Sequence, residues 1–186
     1  MARRLTLRSP RLILRAPLAR DAARIAELTS DWDVARMTTR IPHPNPPAEA
    51  RRFVKSVRED GRPVFGIETP ADGLIGMIGY EDQALGYWLG RLWHGRGYAT
   101  EAVSAMLVHV FGALGAEAVD ASVFADNPAS MRVLQKLGFR ETGVASSASR
   151  ARGAEVVHRD YRLERARWAA ARSGGARAAA ARLRAA

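Results

Sequence analysis

Apolar residues at Ala22, Ile25 and Leu28 recur at helical spacing, so Asp21–Leu28 reads as a helix and Asp31–Met37 as a short second one. Ahead of them Leu12-Ile13-Leu14 reads as a strand, stopped by Pro17. The stretch IPHPNPP (Ile41–Pro47) is expected to be a loop, because each proline fixes its own backbone and removes a donor. Helix resumes over Ala48–Glu59, with Ala50, Phe53, Val54 and Val57 on one face. The pattern then shortens. Val64–Thr69, Leu74–Tyr80 and Leu85–Leu89 are brief apolar runs separated by turn-forming ADG and EDQ, which predicts three strands in a meander.

Helical spacing returns over Thr100–Leu114, where Val103, Met106, Leu107, Val110, Phe111 and Leu114 form a broad stripe. Val119, Ala121 and Val123 alternate as a strand. Asn127-Pro128 opens a helix that runs through Leu137 and ends at Gly138. Phe139–Ala145 and Val156–Leu163 predict two closing strands. In the second, Val157, Arg159, Tyr161 and Leu163 share one face, and His158 and Asp160 take the other. Beyond Glu164, alanine and arginine favour helix, but Ser173-Gly174-Gly175 interrupts it and little is offered for burial. Residues 169–186 are therefore expected as a frayed helix or a disordered tail. The order predicts one mixed α/β domain over residues 1–168, without internal repeats.

At 186 residues and 47% apolar, the chain can build a substantial core. It has no cysteine, which excludes disulfides, thiolate metal sites and a cysteine nucleophile, and fits a reducing cytosol. No apolar run is long enough for a bilayer, so no membrane partner is expected. The start, MARRLTLRSPRLILRA, lacks the apolar stretch of a signal peptide and reads as mature protein in the cytoplasm. The formal charge of +10 comes almost wholly from arginine, since Lys55 and Lys136 are the only lysines. It suits acidic partners, a phosphorylated small molecule first; nucleic acid is not expected as a substrate.

One segment, LWHGRGYATEA (Leu92–Ala102), stands where a strand ends and a helix begins. Gly95, Gly97 and Ala99 let the backbone approach a phosphate closely. The helix behind them aims free amides and the positive end of its dipole at an anion. Arg96 adds a charge and Thr100 a hydroxyl, and Glu101 is a first-turn acid that favours the helix without any ligand. A dinucleotide-binding fingerprint fits poorly, because Thr100 stands where the third small residue belongs. A plain glycine turn that binds nothing stays open on this segment alone.

Three blocks in order change that: RLILRAPLARDAARIAEL near the start, LGYWLGRLWHGRGYATEAV in the middle, and FADNPASMRVLQKLGFRETG over Phe124–Gly143. With them the chain resembles the GNAT N-acetyltransferase superfamily, and within it the RimJ/RimL branch of ribosomal-protein alanine acetyltransferases, from about Leu5 to Trp168. The resemblance implies a mixed, mostly antiparallel twisted sheet with helices on both faces. A V-shaped split would part the strand matching Leu85–Leu89 from the one matching Val119–Phe124. It implies acetyl-CoA as donor, its pantetheine along Trp88, Leu89 and Gly90. The pyrophosphate would sit on the amides of Gly95, Arg96, Gly97, Tyr98, Ala99 and Thr100. Asn127, Ser130 and Arg132 would lie near the cofactor arm and reaction centre, with a solvated helix charge as the alternative for Arg132. No metal is implied. The acceptor is a primary amine, either a ribosomal-protein N-terminus or a small molecule, and a homodimer is left open.

Attack of an amine on a thioester needs a donor to the oxyanion, a route for the amine proton, and a proton for the thiolate. The Leu89 backbone amide is the candidate for the first. For the thiolate, many superfamily members use a tyrosine where this chain has Leu134. The branch commonly has serine one turn earlier, where Ser130 stands, although Ser130 could also be a local cap on its own helix. Relatives often place a glutamate just before the Leu-Gly-Tyr-Trp strand, where Ala84 stands. Glu81 is the remaining candidate base, beside a water relay. His94 occupies a position that is often glutamine or arginine and is expected to be structural. His43, His109 and His158 lack metal-ligand spacing, and no Gly-x-Ser-x-Gly elbow supports a serine hydrolase. Ala84 and Leu134 also admit a rival, a non-catalytic basic RNA- or ribosome-binding module on the same fold, anchored by the arginine-rich tail.

Overall fold

The computed structural model describes residues 5–173. Eight strands form one sheet: β1 (Thr6–Arg8), β2 (Ile13–Arg15), β3 (Val64–Thr69), β4 (Gly73–Glu81), β5 (Ala84–Leu89), β6 (Ala118–Phe124), β7 (Arg140–Ser149) and β8 (Ala154–Glu164). Their spatial order is β1-β2-β3-β4-β5-β6-β8-β7, and every neighbouring pair is antiparallel except β5 and β6. The helices are α1 (Asp21–Thr29), α2 (Trp32–Ala35), α3 (Pro47–Asp60), α4 (Tyr98–Gly112) and α5 (Pro128–Lys136).

Two apolar clusters cover the two faces of the sheet. On one, Ile25 and Ala26 of α1 and Ala50, Val54 and Val57 of α3 pack with Val64, Leu74 and Met77. On the other, α4 inserts Val103, Met106, Leu107 and Val110, all fully buried, and α5 adds Leu134. Each such side chain contributes about 1.5–3 kcal/mol by leaving water. These two helices therefore fix the position of the loop and turn that precede them.

Most predicted elements form where the pattern placed them, with informative differences. Pro47 is not loop but the first residue of α3, where its missing N–H costs nothing. β1 was not expected, because Thr6–Arg8 has no apolar alternation; it exists by pairing with β2 at the sheet edge. Helix continues over residues 165–173, and Trp168 is buried against Phe111, ring centroids 6.3 Å apart. The expectation of little to bury beyond Glu164 is corrected there. The expected tail beyond residue 173 lies outside the described residues. Val157 remains half exposed although it shares the face of Tyr161 and Leu163.

Candidate active site

The hairpin from β4 to β5 turns through Asp82 and Gln83, both at positive φ, as a two-residue hairpin of this hand requires. Ala84 therefore pairs closely with Glu81. Hydrogen-bonded and non-bonded positions alternate from there, and the Gly90 amide donating to the Ile75 carbonyl (2.8 Å) confirms the phase. The amides of Leu85, Tyr87 and Leu89 consequently face the β6 side. β6 meets β5 at one register position only, Ala84 with Asp120, where the Asp120 amide donates to the Gln83 carbonyl. Beyond it the strands part. The Tyr87 and Leu89 amides are left facing the opening, while the Leu89 carbonyl accepts from His94 Nε2 at 2.8 Å.

At the wide end, a short 3-10 turn (Arg91–Trp93) leads into the loop before α4. Gly95 and Gly97 lie at φ +73° and +80°, conformations that any side chain would strain. None of the six amides from Gly95 to Thr100 has an acceptor among the described residues; the first bond of α4 is from the Glu101 amide to the Gly97 carbonyl. Six free donors at the positive end of a helix of 15 residues make an anion seat. The loop is anchored twice. Trp93, buried, donates through Nε1 to Asp72 at 3.0 Å. Arg11 donates to the Arg96 carbonyl (3.0 Å) and to Glu101 (2.7 Å), and lies over the Tyr98 ring. Glu101 also accepts from Ser9 Oγ (2.7 Å) and the Arg11 amide (2.8 Å). Burial would raise its pKa, but these bonds outweigh that and hold it below the ordinary carboxylate range.

From the parted strands a cavity of about 820 Å³ passes through the sheet toward α3. Ser130 and Tyr87 meet in it: Tyr87 Oη lies 2.8 Å from Ser130 Oγ. Burial pushes the Tyr87 phenol up to about 12, against the smaller opposing effect of the Ser130 bond. Asn127 caps α5, its side chain accepting from the Ser130 amide at 3.1 Å. The capping role considered for Ser130 thus belongs to Asn127, and the Ser130 hydroxyl is free to face Tyr87. Trp88, half-buried, packs against both apolar clusters, and Gly90 is required by Trp93, whose ring would stand 2.9 Å from a Cβ there.

Glu81 lines the cavity, but Arg62 donates to its Oε1 (2.6 Å) and Arg40 to its Oε2 (3.2 Å). A base needs a lone pair aimed at the amine, and both oxygens are engaged. Glu49 is shared by Arg52 and Arg150, both at its Oε1. Arg132 is exposed and lies away from the cavity lining, as does Arg96. Leu134 is fully buried core, so this helix position carries no polar chemistry. On the side away from Tyr87 the cavity is lined by the 37–45 loop, by α3 and by His158 of β8. Sequence reasoning missed Tyr87 and Arg11. The period-2 alternation of β5 puts Tyr87 on the face of Leu85 and Leu89, but only the packing of α5 shows that a serine meets it.

Residues 11–140 match the family of the Acetyltransferase (GNAT) domain. The N-acetyltransferase p20 of Bacillus licheniformis, itself uncharacterised, is 28% identical over 160 residues, 80% of this chain and 89% of that protein. Two solved structures share the fold. The ribosomal-protein-S5-alanine acetyltransferase of Vibrio fischeri has a TM-score of 0.74 and 20% identity, over 88% of this chain and 98% of that one. RimJ of Mycobacterium smegmatis, in complex with CoA-disulfide, has a TM-score of 0.70 and 24% identity, over 87% of each. The split sheet with its anion seat and the match over most of its length agree: this chain belongs to the GNAT acetyltransferase family.

Proposed function

We propose that the protein transfers the acetyl group of acetyl-CoA to a primary amine by direct attack in a ternary complex. The observation that carries this is two sets of backbone donors at the opening, Tyr87 and Leu89 in the parted strands and the seat at Gly95–Thr100. A pantetheine chain needs amide partners along its length and its pyrophosphate needs several N–H groups at one end. That spacing of donors supplies both.

In this reading the Leu89 or Tyr87 amide receives the oxyanion, and Ser130, backed by Tyr87, gives a proton to the departing thiolate. Tyr87 stays protonated across the physiological range, so the pair keeps a proton to give. The acceptor enters on the α3 side, where four arginines, Arg40, Arg62, Arg52 and Arg150, share three acids, Glu81, Asp60 and Glu49. A net positive entrance disfavours polyamines and leaves protein N-termini and small amines as acceptors. The likeness to RimJ and the Vibrio fischeri enzyme supports testing ribosomal-protein N-termini first.

Thermal shift and thiol release with acetyl-CoA, across a panel of amines and N-terminal peptides, test the proposal. Stabilisation by CoA and acetyl-CoA and amine-dependent thiol release are expected. No stabilisation at millimolar cofactor, with RNA binding that weakens steeply with salt, would instead establish the non-catalytic module.

A further inference from the structure

The proposed transfer leaves the acceptor's proton without a destination. Ala84 has no titratable side chain, and Glu81 is engaged by two arginines. A different group stands in the cavity. His158 of β8 pairs across the ladder with Phe124 of β6, and both line the cavity on the face that bears Ser122 and Asp160. That face is the acceptor side, opposite the one on which Tyr87 meets Ser130.

One ring nitrogen lies beside an acid. Nδ1 is buried, without a well-aligned hydrogen bond, and 3.1 Å from Asp160 Oδ1, which itself accepts from Ser122 Oγ at 2.6 Å. A neighbouring carboxylate favours the proton on Nδ1 and leaves the lone pair on Nε2. Nε2 has no partner among the described residues. This is the arrangement a histidine base requires: one nitrogen beside an acid, the other open to the cavity where the substrate enters.

We propose that His158, oriented by Asp160, is the general base that takes the proton of the acceptor amine. The proposal rests on the acetyltransferase reading. The amine nitrogen forms the C–N bond, the carbonyl electron pair moves to oxygen, and an N–H proton passes to His158 Nε2, directly or through one water. On collapse the carbonyl re-forms, the C–S bond breaks, and the sulfur takes a proton from the Ser130–Tyr87 pair. His158 has then gained one proton and the pair has lost one, and exchange with water after product release restores both.

Other charged groups face the same space. Arg150 and Arg52 share Glu49, and Arg40 and Arg62 share Glu81. Asp120 is paired with Arg162 across β6 and β8. Arg152 lies over the Phe124 ring and is paired with Asp126. All are bound to opposite charges, so His158 is the one titratable group of this face, among the described residues, that has an acid at one nitrogen and an open lone pair at the other.

The test compares wild type, His158→Gln and Asp160→Asn by pH–rate profiles and by imidazole nitrogen NMR. His158→Gln is expected to lower kcat by about 100-fold and to abolish the acid limb of the profile, with the thermal shift by acetyl-CoA unchanged. Asp160→Asn is expected to lower kcat less, with unchanged KM for acetyl-CoA, and to shift the ring toward the Nε2-protonated tautomer. A His158→Gln protein within threefold of wild type, or with the same acid limb, would overturn the role. The tautomer is read on the resting protein, so it decides even if no amine of the panel reacts: Nε2 protonated at pH 8 in the wild type refutes the assignment. Wild type that turns over no amine, with Nδ1 protonated as expected, counts against the acetyltransferase reading and not against the orientation of His158.

Discussion

Replacing Ser130 by alanine and Tyr87 by phenylalanine, singly and together, isolates the proton supply to the leaving thiolate. The two hydroxyls are 2.8 Å apart and part-buried, so each single change removes one neutral hydrogen bond and leaves the other hydroxyl without its partner. Such a bond is worth about 1 kcal/mol. Both single variants lose the same bond, so the double variant should be less destabilised than the sum, by about 1 kcal/mol in urea unfolding. The kinetic consequence differs between them. If Ser130 delivers the proton, Ser130→Ala lowers turnover by about 100-fold in thiol release. Tyr87→Phe keeps the donor but not its backing, and a loss of about 1 kcal/mol corresponds to about fivefold. Acetyl thioesters of more acidic thiols need no protonation on departure and should restore most of the Ser130→Ala deficit. A deficit below threefold, or one that is the same with an acidic leaving thiol, refutes the role of the pair.

Glu101→Gln should cost about 1 kcal/mol of stability, since half-exposed Arg11 weakens what a buried pair would contribute, and should raise the KM for acetyl-CoA more than it lowers kcat. The folded pKa of Glu101 lies below its unfolded value, so its contribution is present above about pH 4.3 and is lost as pH falls through the folded value. Acid unfolding of Glu101→Gln should therefore show a shallower pH dependence. A Cβ on Gly76 would stand 2.2 Å from the Trp88 carbonyl and 2.9 Å from Leu89 Cα. Gly76→Ala should lower stability by about 1–3 kcal/mol and reduce kcat beyond what equally destabilised core variants show, because it displaces the strand that carries the Leu89 amide. Trp168→Ala should cost about 3 kcal/mol in chemical denaturation, which truncation at residue 168 would reproduce only if the indole is removed with it.

How far the sequence reached follows from which forces act locally. α4 and α5 were legible because their apolar stripes, the Asn127 cap and Pro128 act within one or two turns. The loop at Gly95–Thr100 was legible for the same reason, since positive φ at Gly95 and Gly97 is a property of those residues. β1 was not, because a three-residue edge strand is made by its partner. Tyr87 and His158 were hidden for a further reason. One depends on a serine 43 positions away and the other on a cavity enclosed by segments more than 100 residues apart, and neither leaves a periodicity. Trp168 looked superfluous beside an alanine-arginine run, yet Phe111 at the end of α4 needed a cover. At Glu81 the acidity in a turn was visible, while its two arginines were not.

Amide hydrogen exchange with and without CoA tests the account most directly, because it reads the backbone groups to which the cofactor is assigned. Protection is expected at Tyr87 and Leu89 and over Gly95–Thr100, with α3 and the 37–45 loop unchanged until an acceptor analogue is added. CoA binding that protects other segments and leaves those eight amides exchanging as before would contradict it.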